Sequence, residues 1–207
     1  MFENRDSSLI MLSGGINSTV LLAYLRSKNL KNIEGIFFHY YNCSTSEKDS
    51  AERVAKYYNI NLNVIDISSV YCSMKKPVET ASLIRFNNFY IPYRNGVFIS
   101  TVAAIAYYKN VQNILWGVLG TSSSYYPDNS SVFIEQQAML VNIGTYKKVD
   151  LFVPFFNKSK LDLIQLGKDL GAPLDLTWSC IESDIPCGRC FGCLDRYCAF
   201  DRLKSNG

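Results

Sequence analysis

A chain of 207 residues, 48% hydrophobic and 19% charged, is long enough to bury a sizeable core as one compact domain over residues 1–207. Its formal net charge of +3 is too mild to argue for a nucleic-acid partner. No apolar run approaches the roughly 18 residues that a bilayer span needs. Repeats, low-complexity tracts and linkers are absent from the sequence, and its 14 Tyr and 12 Phe suit core packing as readily as base stacking.

In chain order, short apolar runs alternate with helical patterns. Leu9–Leu12 reads as a strand and Ser18–Ser27 as the helix after it. Ile33–Tyr40 is a second strand, Ser46–Tyr58 its helix, and Leu62–Ile67 a third strand. Asn95–Tyr108, rich in Val, Ile and Ala, reads as a buried helix with Asn95 as its cap. Val111–Val118 is a fourth strand, Phe133–Ile143 a helix and Asp150–Pro154 a short strand. Ser159–Leu170 is a helix stopped by Gly171 and Pro173. Strands alternating with helices predict an α/β fold, a parallel sheet covered on both faces. Such sheets bind ligands at the carboxyl ends of their strands, near the switch in strand order. That rule selects the segments Ser13–Ser18, Tyr40–Glu47 and Gly120–Asp128. His39, the sole histidine, sits on an apolar strand and reads as a packed residue, not a catalyst.

The first of those segments follows a strand and opens a helix: Ser13-Gly14-Gly15-Ile16-Asn17-Ser18-Thr19. A helix N-terminus presents amide N–H groups without partners and the positive end of the helix dipole. Gly14 and Gly15 lack a Cβ, so a phosphate can approach the main chain closely and a positive φ is permitted. Ser13, Ser18 and Thr19 add hydroxyl donors. The competing reading is an ordinary strand-to-helix turn with a Ser or Asn cap. No Gly-Lys-Ser/Thr follows, so this is not a Walker loop. It resembles the Ser-Gly-Gly-x-Asp-Ser loop of ATP-pyrophosphatases, which split ATP between the α- and β-phosphates, with Asn17 standing where that pattern has Asp.

Near the other end, Cys180, Cys187, Cys190 and Cys193 form C-x6-C-x2-C-x2-C. Four thiolates so compressed suit a tetrahedral, structural Zn²⁺, with Gly188 and Gly192 letting the backbone fold around the metal. Disulfides are the alternative. Cys43, Cys72 and Cys198 bring the total to seven, an odd number, and with no signal peptide this points to a reducing compartment, the cytoplasm.

Five stretches together make the chain similar to the 7-cyano-7-deazaguanine synthase family of queuosine biosynthesis, over nearly its whole length. They are the Ser-Gly-Gly loop; Ile91-Pro92-Tyr93-Arg94-Asn95; Gly117 through Tyr126-Pro127-Asp128; Pro154 with Ser159-Lys160; and Thr177-Trp178-Ser179-Cys180 leading into the cysteines over 177–200. The resemblance implies a Rossmann-like, adenine-nucleotide α-hydrolase-like sandwich. It also implies a ligase in which the carboxylate of 7-carboxy-7-deazaguanine attacks the α-phosphate of ATP. Pyrophosphate leaves, ammonia gives the amide, and a second ATP drives dehydration to the nitrile. Departing pyrophosphate needs fixed donors and Mg²⁺. The resemblance assigns Ser13, Gly14, Gly15, Asn17, Ser18 and Thr19 to the ATP phosphates, with Lys160 as a further contact; its alternative is a solvated helix-start lysine. Arg94 would clamp a phosphate or the substrate carboxylate in bidentate fashion, unless it is a surface arginine. Tyr126 and Asp128 would meet the guanine-like base, although Pro-Asp is also a common turn.

Departures from the family pattern cluster on the acidic and substrate side. Asn17 removes a carboxylate and keeps only an acceptor oxygen. The family's Tyr-Gly-Gln-Arg-His run is Tyr40-Tyr41-Asn42-Cys43-Ser44, with Glu47 retained after it. Ser122 stands where an acidic residue is expected, and Asn129-Ser130 where Cys-Arg is. Three readings follow: the family reaction with ammonia; the same activation with a larger amine such as a protein N-terminus, as in divergent members found in bacterial antiphage defence operons; or a non-catalytic nucleotide- or base-binding subunit. Whether the chain pairs into a homodimer is open at this level.

Overall fold

The computed structural model describes residues 7–40, 43–72, 91–122 and 126–205. Among them, strands β1 (Ser8–Met11), β2 (Ile33–His39), β3 (Leu62–Asp66), β4 (Asn113–Leu115) and β5 (Asp150–Phe152) form one five-stranded sheet in the order β3-β2-β1-β4-β5. All four pairings are parallel, with Ser8 opposite Ile33 on one side and Asn113 on the other. The helices are α1 (Ile16–Ser27), α2 (Thr45–Tyr57), α3 (Ser68–Cys72), α4 (Arg94–Tyr108), α5 (Ser131–Gly144), α6 (Lys160–Asp169) and α7 (Phe191–Ser205). None of them is long and apolar enough to cross a membrane.

The alternating side chains of β1 explain its central place. Ile10 and Leu12 pack with α1, α2 and α6, whereas Leu9 and Met11 pack on the other face with α4 and Val141 of α5. Every residue of β1 is buried, as a strand covered on both sides must be. Because β2 and β4 flank it in opposite directions, the strand order reverses at β1. The Ser13–Ser18 loop therefore leaves the sheet at its switch point, where the crevice of an open α/β sheet lies.

The expected strands and helices are present with ends moved by a residue or more, and two readings change. The fourth strand shrinks from Val111–Val118 to Asn113–Leu115, because beyond it Gly117 turns against the main chain of Asn17 and Ser18. Asn95 is not the cap of α4: Tyr93 holds that position in the left-handed region (φ 59°), and Asn95 is buried in the first turn. There its main-chain N–H donates to Asp128 Oδ2 at 3.0 Å, and its amide donates to Asn129 Oδ1 at 2.8 Å. Helix α7 starts just after Cys190 and carries Cys193 in its first turn, where the periodicity predicted no helix. Its charged and polar residues obscure any apolar stripe, and Ala199 is its buried contact with the core.

Candidate functional site

Above the carboxyl ends of β1, β2 and β4 lies a cavity of about 580 Å³, the size range of a small-ligand site. Its floor is the loop after β1. Gly15 occupies the N-cap position of α1 with no side chain capping it, so the first-turn amides face the cavity without an intrahelical acceptor. Ser13 Oγ accepts from Gly15 N–H at 3.3 Å and lies 3.2 Å from Ser18 Oγ. Gly14 lies beneath the loop. With φ +74°, a Cβ there would come 2.5 Å from Ala51 N, and its carbonyl accepts from Trp178 N–H at 3.0 Å. Buried Ser50 sets its hydroxyl 2.7 Å from the same carbonyl.

Lys160, first residue of α6, reaches over the loop from the side. Its Nζ donates to Asn17 Oδ1 at 2.9 Å and lies 3.0 Å from Asp195 Oδ2 on α7. Ser159 and Asp162 form a capping box that fixes the start of α6 and hence the root of this lysine.

The opposite wall is aromatic and ionic. Arg94 donates from Nη1 to Tyr40 Oη at 3.3 Å, and its guanidinium lies over the rings of Tyr40 and Phe98. Tyr40 Oη in turn lies 3.4 Å from Glu47 Oε2. Burial raises the Glu47 carboxyl above its ordinary value, against the pull of Arg94 and of hydrogen bonds from Cys43 and Tyr40. Burial, with Glu47 beside it, pushes the Cys43 thiol up to about 12, which disfavours its thiolate. Asp128 caps the first turn of α4 from outside through Asn95 N–H while still lining the cavity.

The roof comes from the cysteine segment. The sulfurs of Cys180, Cys187, Cys190 and Cys193 all lie within 4.8 Å of one another, close to the spacing of four thiolates around one tetrahedral ion with metal–sulfur bonds of about 2.3 Å. Main-chain N–H groups of Cys190 and Cys193 donate to the sulfurs of Cys187 and Cys190. Burial alone would raise the Cys180 thiol, yet N–H donors from Cys187, Glu182 and Ser183 bring it down to about 6. Four sulfurs gathered this closely fit a single metal ion. The segment is tied to the rest at several points. Arg196 of α7 donates to Thr177 Oγ1 at 2.7 Å and to Leu174 O at 3.1 Å, and Ser46 N–H of α2 donates to Asp184 Oδ1 at 3.1 Å. At Gly192 a Cβ would fall 1.9 Å from Ser179 O, so α7 can begin against the main chain of Ser179 only with glycine there.

The structure thus brings Ser13, Gly15, Asn17, Ser18, Arg94, Tyr126, Asp128 and Lys160 around one cavity, and gathers the four cysteines beside it. Gly14 and Thr19 stand apart. Gly14 supports the loop from below, and the Thr19 side chain is fully buried with its Oγ1 lacking a hydrogen-bond partner. Tyr41 and Asn42 and the side chain of Ser122 lie outside the described residues. His39 is a half-buried strand residue outside the cavity wall, in keeping with a packing role. Sequence reasoning missed Asp195, Arg196 and the use of Tyr40; the only available hint was that Asp195 and Arg196 follow Cys193 directly.

The order and direction of the strands define an α/β protein with an adenine-nucleotide α-hydrolase-like fold. The same fold occurs in NMN synthetase from Francisella tularensis (TM-score 0.56, 18% identity, covering 83% of this chain and 64% of that one). It recurs in the U34-tRNA thiolase NcsA from Methanococcus maripaludis with its [4Fe-4S] cluster (TM-score 0.55, 13% identity, covering 99% and 68%). The family model "Queuosine biosynthesis protein QueC" matches residues 7–204. A 7-cyano-7-deazaguanine synthase from Nitratiruptor sp. is 33% identical over 212 aligned positions, covering 94% of both chains. The chain belongs to the QueC family.

Proposed function

We propose that the protein is a QueC-like ATP-dependent carbon–nitrogen ligase, acting as one unit over 1–207, that adenylates the carboxylate of 7-carboxy-7-deazaguanine and passes the acyl group to an amine. The observation that carries this reading is the convergence of an uncapped helix N-terminus, Lys160 and Arg94 on one cavity at the switch point of the sheet. The α1 amides with Ser13 and Ser18 suit the departing pyrophosphate, since they meet growing negative charge without reorganising. Lys160 adds a mobile positive charge at the same end. Arg94, half-buried and stacked on Tyr40 and Phe98, suits the carboxylate of the acyl donor as a planar bidentate donor. Tyr126 offers a ring to the flat base, and Asp128 an acceptor for its N–H edge.

Mg²⁺, when bound, would neutralise charge on the phosphates. Zn²⁺ on Cys180, Cys187, Cys190 and Cys193 would hold the roof in place with no open position for chemistry. Ammonia is the acceptor in this reading.

The test is product analysis. Incubation with ATP, Mg²⁺, 7-carboxy-7-deazaguanine and ammonium should release AMP and pyrophosphate, and Arg94→Ala should suppress release by about two powers of ten or more. ADP and phosphate as products would sink the proposal. Turnover only with a peptide amine would move the acceptor to the protein class.

A further inference from the structure

We infer that Asp195, on the first turns of α7, supplies the anionic oxygen that the loop lacks at Asn17, and that Asp195 and Asn17 together hold the cation accompanying the nucleotide phosphates. The inference rests on the ATP reading above. Its ground is a single constellation: the Lys160 ammonium sits between Asn17 Oδ1 at 2.9 Å and Asp195 Oδ2 at 3.0 Å, beside the amide-rich loop. A position where two oxygens already hold one positive charge is one that another cation can take. The lysine stem is flexible enough to turn its ammonium to a phosphate oxygen when phosphates enter. That move leaves an amide oxygen and a carboxylate oxygen facing the same space. Mg²⁺ keeps several of its waters and usually takes one or two carboxylates plus substrate phosphates, so a single aspartate with an amide beside it suits the ion.

The other acids on the cavity wall are otherwise engaged. Asp128 accepts from Asn95 N–H, and Glu47 sits at the far wall with Tyr40, Cys43 and Arg94, its carboxyl raised by burial. Asp195 remains with 31% of its side chain exposed into the cavity region, and Lys160 with 22%. The carboxylate is delivered from a different element, two residues past Cys193. Charge is therefore restored at the site although the loop itself carries none.

The experiment is ATP binding by calorimetry on the full chain, once with Mg²⁺ and once with EDTA, for wild type, Asp195→Asn, Asn17→Asp and the exchanged double variant Asn17→Asp/Asp195→Asn. Wild type should bind ATP more tightly with Mg²⁺. Asp195→Asn should lose about tenfold or more with Mg²⁺ while its affinity in EDTA stays equal or improves. The double variant should recover the Mg²⁺ effect, because the carboxylate returns to the same lysine from the loop side. Equal losses in both buffers would make Asp195 only an anchor for Lys160 and overturn the inference. So would a wild type that binds ATP indifferently to Mg²⁺, or a double variant that fails to recover. A wild type that binds no ATP under either condition would instead overturn the ATP reading, and this inference with it. Thermal melts of each variant separate these outcomes from misfolding, and Asp195→Glu, which keeps the charge, should retain the Mg²⁺ effect if Asp195→Asn proves unstable.

Discussion

The floor and the roof of the cavity are built by opposite means. The floor is a glycine loop wedged between α1 and α2, held by main-chain contact: Gly14 against Ala51 N, its carbonyl under Ser50 and Trp178. The roof, residues 177–205, has little apolar core of its own and is held by side chains: four cysteine sulfurs, Arg196 on Thr177 and Leu174, and Asp184 on α2. A floor of this kind tolerates loss of a polar contact but not added volume. The roof tolerates surface change but not loss of a ligand.

The sharpest way to break the contrast is Cys190→Ser. A buried thiolate of the four-sulfur set is lost, the metal goes with it, and the roof detaches while the sheet stays folded. The melting temperature should fall on the order of 10 °C, with metal content near zero by elemental analysis. Full metal content in that variant would disprove the four-thiolate site. A visible absorption band in the wild type would indicate an iron–sulfur cluster in place of Zn²⁺.

Gly14→Ala attacks the floor. It adds one carbon where 2.5 Å separates it from Ala51 N and forces a non-glycine residue to φ +74°, a cost of about 2–4 kcal/mol. Denaturant unfolding should show this loss with metal content unchanged, so floor and roof fail independently. Loss of metal from Gly14→Ala would instead mean that the two are one cooperative unit.

The smallest effect concerns the wall between them. Burial raises the folded-state pKa of Glu47, so the folded protein holds that proton to a higher pH than the unfolded chain does. The folded state then binds more protons between the ordinary carboxylate value and the raised one, and this contribution to stability falls as pH rises through that window. Glu47→Gln should remove the slope. Melts of wild type and variant compared across the weakly acidic range measure it, and parallel curves would exclude the effect.

Much of the floor was legible in the sequence because each part has a local cause: an apolar run, two glycines, then a helical pattern. The cysteine spacing was legible for the same reason. Asp195 and Arg196 were not, because their partners, Lys160 and Thr177, are distant in sequence and only tertiary packing joins them. Asn95 misled in an instructive way. A residue type that favours caps sits one position inside the first turn, and the cap belongs to Tyr93 in a conformation that aromatic residues seldom adopt. Asp128 compensates by meeting the amide of Asn95 from a separate turn.

The strand order bears on how the chain reaches this shape. Among the described strands β1 comes first in chain order and sits in the middle of the sheet, pairing with β2 and, about a hundred residues further along, with β4 at Asn113–Leu115. Until β4 has left the ribosome, β1 has one open edge with no partner, and an open edge of buried-type residues is where chains associate wrongly. Such distant pairings also slow folding, since loop closure precedes any gain from the contact. The cysteine segment emerges later still. The cavity is therefore roofed last, after the sheet has closed, and nascent chains truncated before residue 177 would carry the floor of the site without its cover.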